Sequence, residues 1–76
     1  MSKYFDIVAR IIEDVADISL DEIKMDSELI DGLDLSSLEL MSIINEISKQ
    51  CSVKISNKEL LQMETVGDIV EFLDAQ

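Results

Sequence analysis

The chain has no histidine and no proline, one cysteine, two glycines, few aromatics and only six cationic residues among 76. Without histidine, Ser-His-Asp triads, Cys-His dyads and histidine-bound metals are excluded. Carboxylate-only acid/base chemistry needs a cleft that raises one pKa, and a chain this short has little interior in which to make one. The sequence therefore reads as a non-enzyme with no metal site. Cys51 can form no internal disulfide and has no His with which to bind zinc, which suits a reducing, cytoplasmic setting. Missing proline and scarce glycine, at Gly32 and Gly67, leave helices few breakers and hairpins little turn material, so an all-α fold is expected. The N-terminus turns charged before any apolar stretch of signal-peptide or membrane-spanning length develops, so neither export nor membrane insertion is expected. With 17 carboxylates against six cations, the net charge of −11 disfavours nucleic acid and anionic membrane surfaces and favours basic protein partners.

What is present is mostly aliphatic. At 47% hydrophobic, the chain is too apolar for a disordered acidic tail and long enough for one core, so residues 1–76 are read as one domain. Phe5, Val8, Ile11, Ile12 and Val15 follow the three-and-four spacing of a helical face, giving a first helix over Tyr4 to Val15 with Ser2 available as N-cap. Ser36-Ser37-Leu38-Glu39 matches a capping box, and Leu40, Ile43, Ile44 and Ile47 continue a second helix to near Gln50. After an extended Val53-Lys54-Ile55 link, Ser56-Asn57-Lys58-Glu59 opens a brief third helix to about Met63. Thr65-Val66-Gly67-Asp68 starts a final helix expected to bury Val66, Ile69, Val70, Phe72 and Leu73. No repeat or heptad run appears, so the expectation is a small four-helix bundle with three longer helices and a short third one.

Residues 16 to 35 lose helical period and gain capping and turn signals at Ser19 to Glu22 and Gly32. Loops longer than about 12 to 15 residues are commonly functional or pinned by their own side chains. Ile18, Leu20, Ile23, Leu29, Ile30 and Leu33 suit that pinning, so the loop is expected to be ordered. Residues 13 to 34 also hold nine carboxylates against one cation, Lys24, a crowding that serves solubility, partner steering or both. Divalent cations are expected to relieve it.

Leu33-Asp34-Leu35-Ser36-Ser37-Leu38-Glu39-Leu40 resembles the attachment site of the acyl carrier protein family, a serine before leucine at the start of a helix. Ile11-Ile12, Ser27-Glu28-Leu29-Ile30-Asp31, Val53-Lys54-Ile55 and Thr65-Val66-Gly67-Asp68 extend the resemblance over nearly the whole chain. A serine starting a helix is first of all a cap, and the surrounding order, spacing, length and acidity carry the resemblance beyond that. It implies that Ser37 takes a covalent 4'-phosphopantetheine arm from coenzyme A through a separate phosphopantetheinyl transferase. Leu38 completes the motif. Ser36 stands where the family has Asp and is read as the N-cap, with Asp34 as a substitute carboxylate. The arm's thiol then carries acyl groups as thioesters to acyl-transferring and acyl-processing enzymes of fatty-acid, polyketide or related biosynthesis, whose docking faces are basic or apolar.

The resemblance also implies an acyl pocket in the bundle, for which Leu29, Leu33, Leu40, Ile43, Ile44, Ile47, Met63 and Ile69 are the candidates; the plain alternative for each is ordinary core. Partner contact is implied for the second helix, with Glu39, Met41, Ser42, Asn45 and Glu46 as its exposed stripe. Ser42, Ser48 and Lys49 occupy positions often acidic in relatives, so the acidic patch is diluted, which weakens the case for bulk fatty-acid synthesis and adds a specialised pathway as an alternative. Cys51 follows that helix where relatives often carry a bulky apolar residue and is read as a buried small hydrophobe. The span from Met1 to Gln76 suggests a discrete protein, acting as a monomer. The competing reading is an acidic helical adaptor or inhibitor that binds a basic surface unmodified. A calcium loop is excluded, because Asp31-Gly32-Leu33-Asp34-Leu35-Ser36 puts apolar residues and the glycine out of register for ligands.

Overall fold

Val8, Ala9, Ile11 and Ile12 form one buried face of the first helix, α1 (Lys3–Ala16), in the computed structural model, which describes residues 3–76. The expected cap at Ser2 lies outside the described residues. Asp17 ends α1 in the left-handed region (φ 57°), its N–H donating to the Glu13 carbonyl at 2.9 Å. Asp is among the few side chains that adopt that conformation readily. α2 (Ser37–Cys51) buries Ile43, Ile44 and Ile47 and ends at Ser52, also left-handed at φ 54°. α3 (Asn57–Leu61) is a single turn closed by a capping box of Ser56 and Glu59, and α4 (Val66–Asp74) buries Val66, Ile69, Val70 and Leu73.

α1 is the central helix, packing against both α2 and α4. The fold is thus the expected all-α bundle; the one β-type pairing among the described residues is an isolated bridge between Glu28 and Thr65. Several boundaries and core assignments differ from the sequence reading: α1 runs one residue further at each end than expected, and Cys51 is half-buried rather than buried. α3 stops at Leu61 because Gln62 and Met63 donate to carbonyls three residues back, tightening the turn and driving Met63 into the core. α2 runs one residue further than expected, to Cys51. Phe72 is only half-buried, since the inward face of α4 is already filled by Ile69, Val70 and Leu73.

The loop between α1 and α2 is ordered, and its attachments explain why. Leu29 donates to the Glu64 carbonyl at 2.8 Å, Val66 to Ser27 at 3.0 Å and Gly67 to Met25 at 2.7 Å. With Asp68 N–H donating to Thr65 Oγ1 at 3.1 Å, the first three amides of α4 are all satisfied, two by the loop and one by the cap. Gly67 permits this approach: a Cβ there would lie 2.8 Å from the Met25 carbonyl oxygen. Of the side chains expected to pin the loop, Ile23 and Leu29 are buried and Ile18 and Leu33 half-buried, but Leu20 and Ile30 are exposed. Leu20 opens a single 3-10 turn (Leu20–Glu22) whose inward residue is Ile23, and Ile30 faces a surface groove. Leu35 takes up core space instead, at 4% exposure.

Candidate functional site

The start of α2 is set by buried residues on one side and a cap on the other. Leu29 and Leu35 are buried and tied together, Leu35 N–H donating to the Leu29 carbonyl at 3.1 Å. Between them and the helix, Asp34 turns the chain through the left-handed region (φ 57°) so that Ser36 arrives extended (φ −77°, ψ 164°) as N-cap. Ser36 Oγ accepts the Glu39 N–H at 3.1 Å, Glu39 Oε1 accepts the Ser36 N–H at 2.9 Å, and the Ser36 carbonyl accepts from Leu40 at 3.0 Å. The capping work therefore falls on Ser36. Ser37, the first residue of the helix, is exposed with its hydroxyl outside the capping box.

In contrast to α4, the first two amides of α2, those of Ser37 and Leu38, take no protein partner among the described residues. They stand at the positive end of a 15-residue helix beside the Ser37 hydroxyl. Ser37 also sits on the rim of a groove of about 540 Å³ between the loop, α2 and α3. Ile30, Leu40, Met41, Leu60, Leu61 and Met63 give it apolar walls, and Glu28, Asp31 and Glu64 complete the lining with no cation.

Leu40 and Met63 are the two acyl-pocket candidates on the groove wall. Leu29, Ile43, Ile44, Ile47 and Ile69 are buried in the core, and Leu33 is half-buried against it. Sequence reasoning did not single out Leu61, Leu60, Ile30, Glu28, Asp31 and Glu64 for the groove. Leu61 is 84% exposed, and no local pattern in the sequence marks it as facing the groove. On α2, Met41, Ser42 and Asn45 are exposed and Glu46 half-buried. Glu39 is half-buried with its carboxylate engaged in the cap, and Leu38 projects at 81% exposure. Among the described residues no three potential ligands cluster to hold a metal. Cys51 is half-buried, and burial pushes its thiol pKa up.

The model of the phosphopantetheine attachment site family matches residues 6–73. Acyl carrier protein of Clostridium perfringens is 33% identical over 69 residues, covering 91% of this chain and 91% of that one. Acyl carrier protein of Tropheryma whipplei is 27% identical over 73 residues, 96% of this chain and 89% of the relative. The meromycolate extension acyl carrier protein of Mycobacterium leprae is 35% identical over 66 residues, 87% of this chain and 57% of the relative. In fold, the chain superimposes on the acyl carrier protein of Enterococcus faecalis with a TM-score of 0.73 at 20% identity, covering 99% and 98% of the two chains.

The residues at the start of α2 fit the group that such a site carries. They offer an exposed hydroxyl not needed for capping, two unpartnered amides suited to a phosphodiester, and an adjoining apolar groove of ligand size. The chain belongs to the acyl carrier protein family, whose attachment-site model spans nearly all of it, and its cofactor is covalently bound 4'-phosphopantetheine.

Proposed function

We propose that Ser37 is the attachment residue and that the chain carries acyl groups as thioesters on the arm bound there. The observation that carries this reading is the division of labour at the start of α2: Ser36 caps the helix, and Ser37 stands exposed and uncommitted on the groove rim. A serine with no adjacent base is a poor nucleophile, and the chain has no histidine, so the transferase supplies the base that accepts the Ser37 proton. The new bond joins Ser37 Oγ to the phosphorus of phosphopantetheine, with the nucleotide part of coenzyme A leaving. When bound, the arm supplies a terminal thiol that holds the acyl group. Leu38, exposed beside the attachment point, is available for the transferase and later enzymes to contact, and Asp34 supplies the nearest carboxylate preceding Ser36 in the chain.

The partners in this reading are the transferase and enzymes that load, extend or unload acyl groups. Met41, Ser42 and Asn45 supply an exposed stripe for them on α2, and Leu40 and Met63 line the groove beside the arm. The weakly acidic character of that stripe favours a specialised pathway over bulk fatty-acid synthesis, and a lone thiol suits work in the cytoplasm. Among the described residues no helix is long and apolar enough to cross a membrane.

The test is a two-step loading. The purified chain is incubated with coenzyme A, magnesium and a broad-specificity transferase, and the product is then offered to an acyl-activating enzyme with a fatty acid and ATP, which is cleaved to AMP and pyrophosphate as the thioester forms. The expected result is one phosphopantetheine followed by one acyl group that hydroxylamine releases, as it does a thioester. An acyl adduct resistant to hydroxylamine, or no arm at all, would contradict the proposal. The latter outcome would restore the unmodified adaptor.

A further inference from the structure

Met63 is the one residue common to two grooves. On one side is the groove of about 540 Å³ whose rim holds Ser37. On the other is a second groove of about 370 Å³, lined by Glu59, Gln62, Asp68, Glu71 and Phe72 of α3 and α4 and the link between them. The Met63 side chain is only 8% exposed and belongs to the core. Its backbone is held on both sides. Met63 N–H donates to the Leu60 carbonyl at 3.1 Å, Glu64 N–H donates to the Asp68 carboxylate at 2.9 Å, and the Glu64 carbonyl accepts from Leu29 N–H at 2.8 Å. What separates the grooves is therefore one side chain on a fixed backbone.

The two compartments differ in what they offer an acyl tail. Ile30, Leu40, Leu60 and Leu61 give the Ser37 groove apolar walls. In the second groove Phe72 is the only apolar residue besides Met63, against three carboxylates and a glutamine. A methylene that leaves water for an apolar wall favours the sheltered state by about fourfold at full burial, whereas one that displaces water from charged groups gains little. The core offers no other way inward, because Leu29, Ile43, Ile47 and Ile69 are fully buried and the isoleucines are stiff at χ1.

Resting on the carrier reading above, we infer that Met63 is the end-stop of the Ser37 groove and sets the length of acyl tail that this carrier shelters. Methylenes up to Met63 leave water for the apolar walls. Those beyond it stay in solvent or meet the carboxylates of the second groove, so a longer tail gains no further shelter. The cargo that fits best is an acyl chain just long enough to reach Met63.

The experiment loads wild type, Met63→Ala and Val70→Ala with whole acyl-phosphopantetheine arms from acyl-coenzyme A, lengthened one carbon at a time from butyryl to hexadecanoyl, using magnesium and a broad-specificity transferase. Intact mass establishes loading, and thermal melts give the midpoint at each length. The wild-type midpoint is expected to rise by roughly 2–3 °C per carbon, about half the value for full burial, and to level off once the tail reaches Met63. Unloaded Met63→Ala should melt about 10 °C or more below wild type. Because the variant lacks three heavy atoms, its plateau should come about three carbons later, with the deficit shrinking over those carbons as the tail refills the cavity. Val70, buried in α4 and lining neither groove, is the control: Val70→Ala should lose stability and keep the wild-type plateau. A purely structural Met63 gives no such length-specific recovery. Should Met63→Ala not fold, Met63→Val, one heavy atom smaller, is expected to delay the plateau by about one carbon. In loaded wild type, the Met63 methyl resonance should shift with tail length as far as the plateau. A plateau no later in the Met63 variants, an equal delay in Val70→Ala, a wild-type midpoint with no plateau, or a Met63 methyl resonance blind to tail length overturns the end-stop while leaving the carrier reading intact. Failure of every chain to take the arm overturns both.

Discussion

Ser36 and Glu39 exchange hydrogen bonds across the first turn of α2, the Ser36 hydroxyl accepting from Glu39 N–H at 3.1 Å and the Glu39 carboxylate accepting from Ser36 N–H at 2.9 Å. Their reciprocity separates two adjacent serines into one that caps the helix and one that is exposed and outside the cap. Ser36→Ala should cost about 1 kcal/mol, the usual loss for a capping hydroxyl, whereas Ser37→Ala should stay within about 0.5 kcal/mol of wild type. Thermal melts check this: for a domain of this size about 1 kcal/mol corresponds to a midpoint shift of roughly 4–8 °C. Equal shifts for the two variants would place Ser37 in the cap as well.

Asp34 precedes that cap in the left-handed region, at φ 57°. A β-branched side chain is disfavoured there, so Asp34→Val should destabilise by roughly 1–2 kcal/mol. Asp34→Gly should be neutral or mildly stabilising by the same measurement, because glycine adopts that conformation freely.

Gly67 touches the loop where a Cβ would lie 2.8 Å from the Met25 carbonyl oxygen. In an unobstructed helix Gly→Ala gains roughly 1 kcal/mol, but here the loop must shift or the Gly67–Met25 hydrogen bond must break. Gly67→Ala is therefore expected to destabilise, with amide exchange of Gly67 and of its loop-bonded neighbours Val66 and Leu29 accelerated. Stabilisation would mean that the loop yields at no cost.

The bundle was legible in the sequence because its helices announce themselves twice, by period and by cap. The boxes at Ser36, Ser56 and Thr65 each form as their spacing indicates. The loop was legible only in part. Ile23 and Leu29 are buried, but the choice of Leu35 over Leu20 and Ile30 goes with tertiary hydrogen bonds between the loop and Glu64, Val66 and Gly67 that no local pattern encodes. The groove was least legible. It is lined by residues from the loop, α2 and α3, and a helical apolar stripe such as Ile43, Ile44 and Ile47 marks the buried side of α2 rather than the side that faces an opening.

Asp68 accepts hydrogen bonds from the backbone amides of Glu64 and Thr65, at 2.9 and 3.1 Å, which hold its pKa below the ordinary carboxylate range. Between the lowered folded value and the ordinary unfolded one, the unfolded chain binds more protons, so stability rises with pH. The contribution is fully present above the unfolded pKa of about 4 and is lost as pH falls through the folded value. Asp68→Asn should flatten that acid limb of stability against pH, measured by urea unfolding, while leaving its neutral limb parallel to wild type. An unchanged acid limb would assign the pH dependence to other carboxylates.

The most direct test of the central claim is intact and peptide-level mass after loading wild type, Ser36→Ala and Ser37→Ala with coenzyme A, magnesium and a broad-specificity transferase. One phosphopantetheine on wild type and on Ser36→Ala, mapped to Ser37, with none on Ser37→Ala, is the expected result. An arm on Ser37→Ala, or its mapping to Ser36, would contradict the assignment of the cap to one serine and the carrier chemistry to the other.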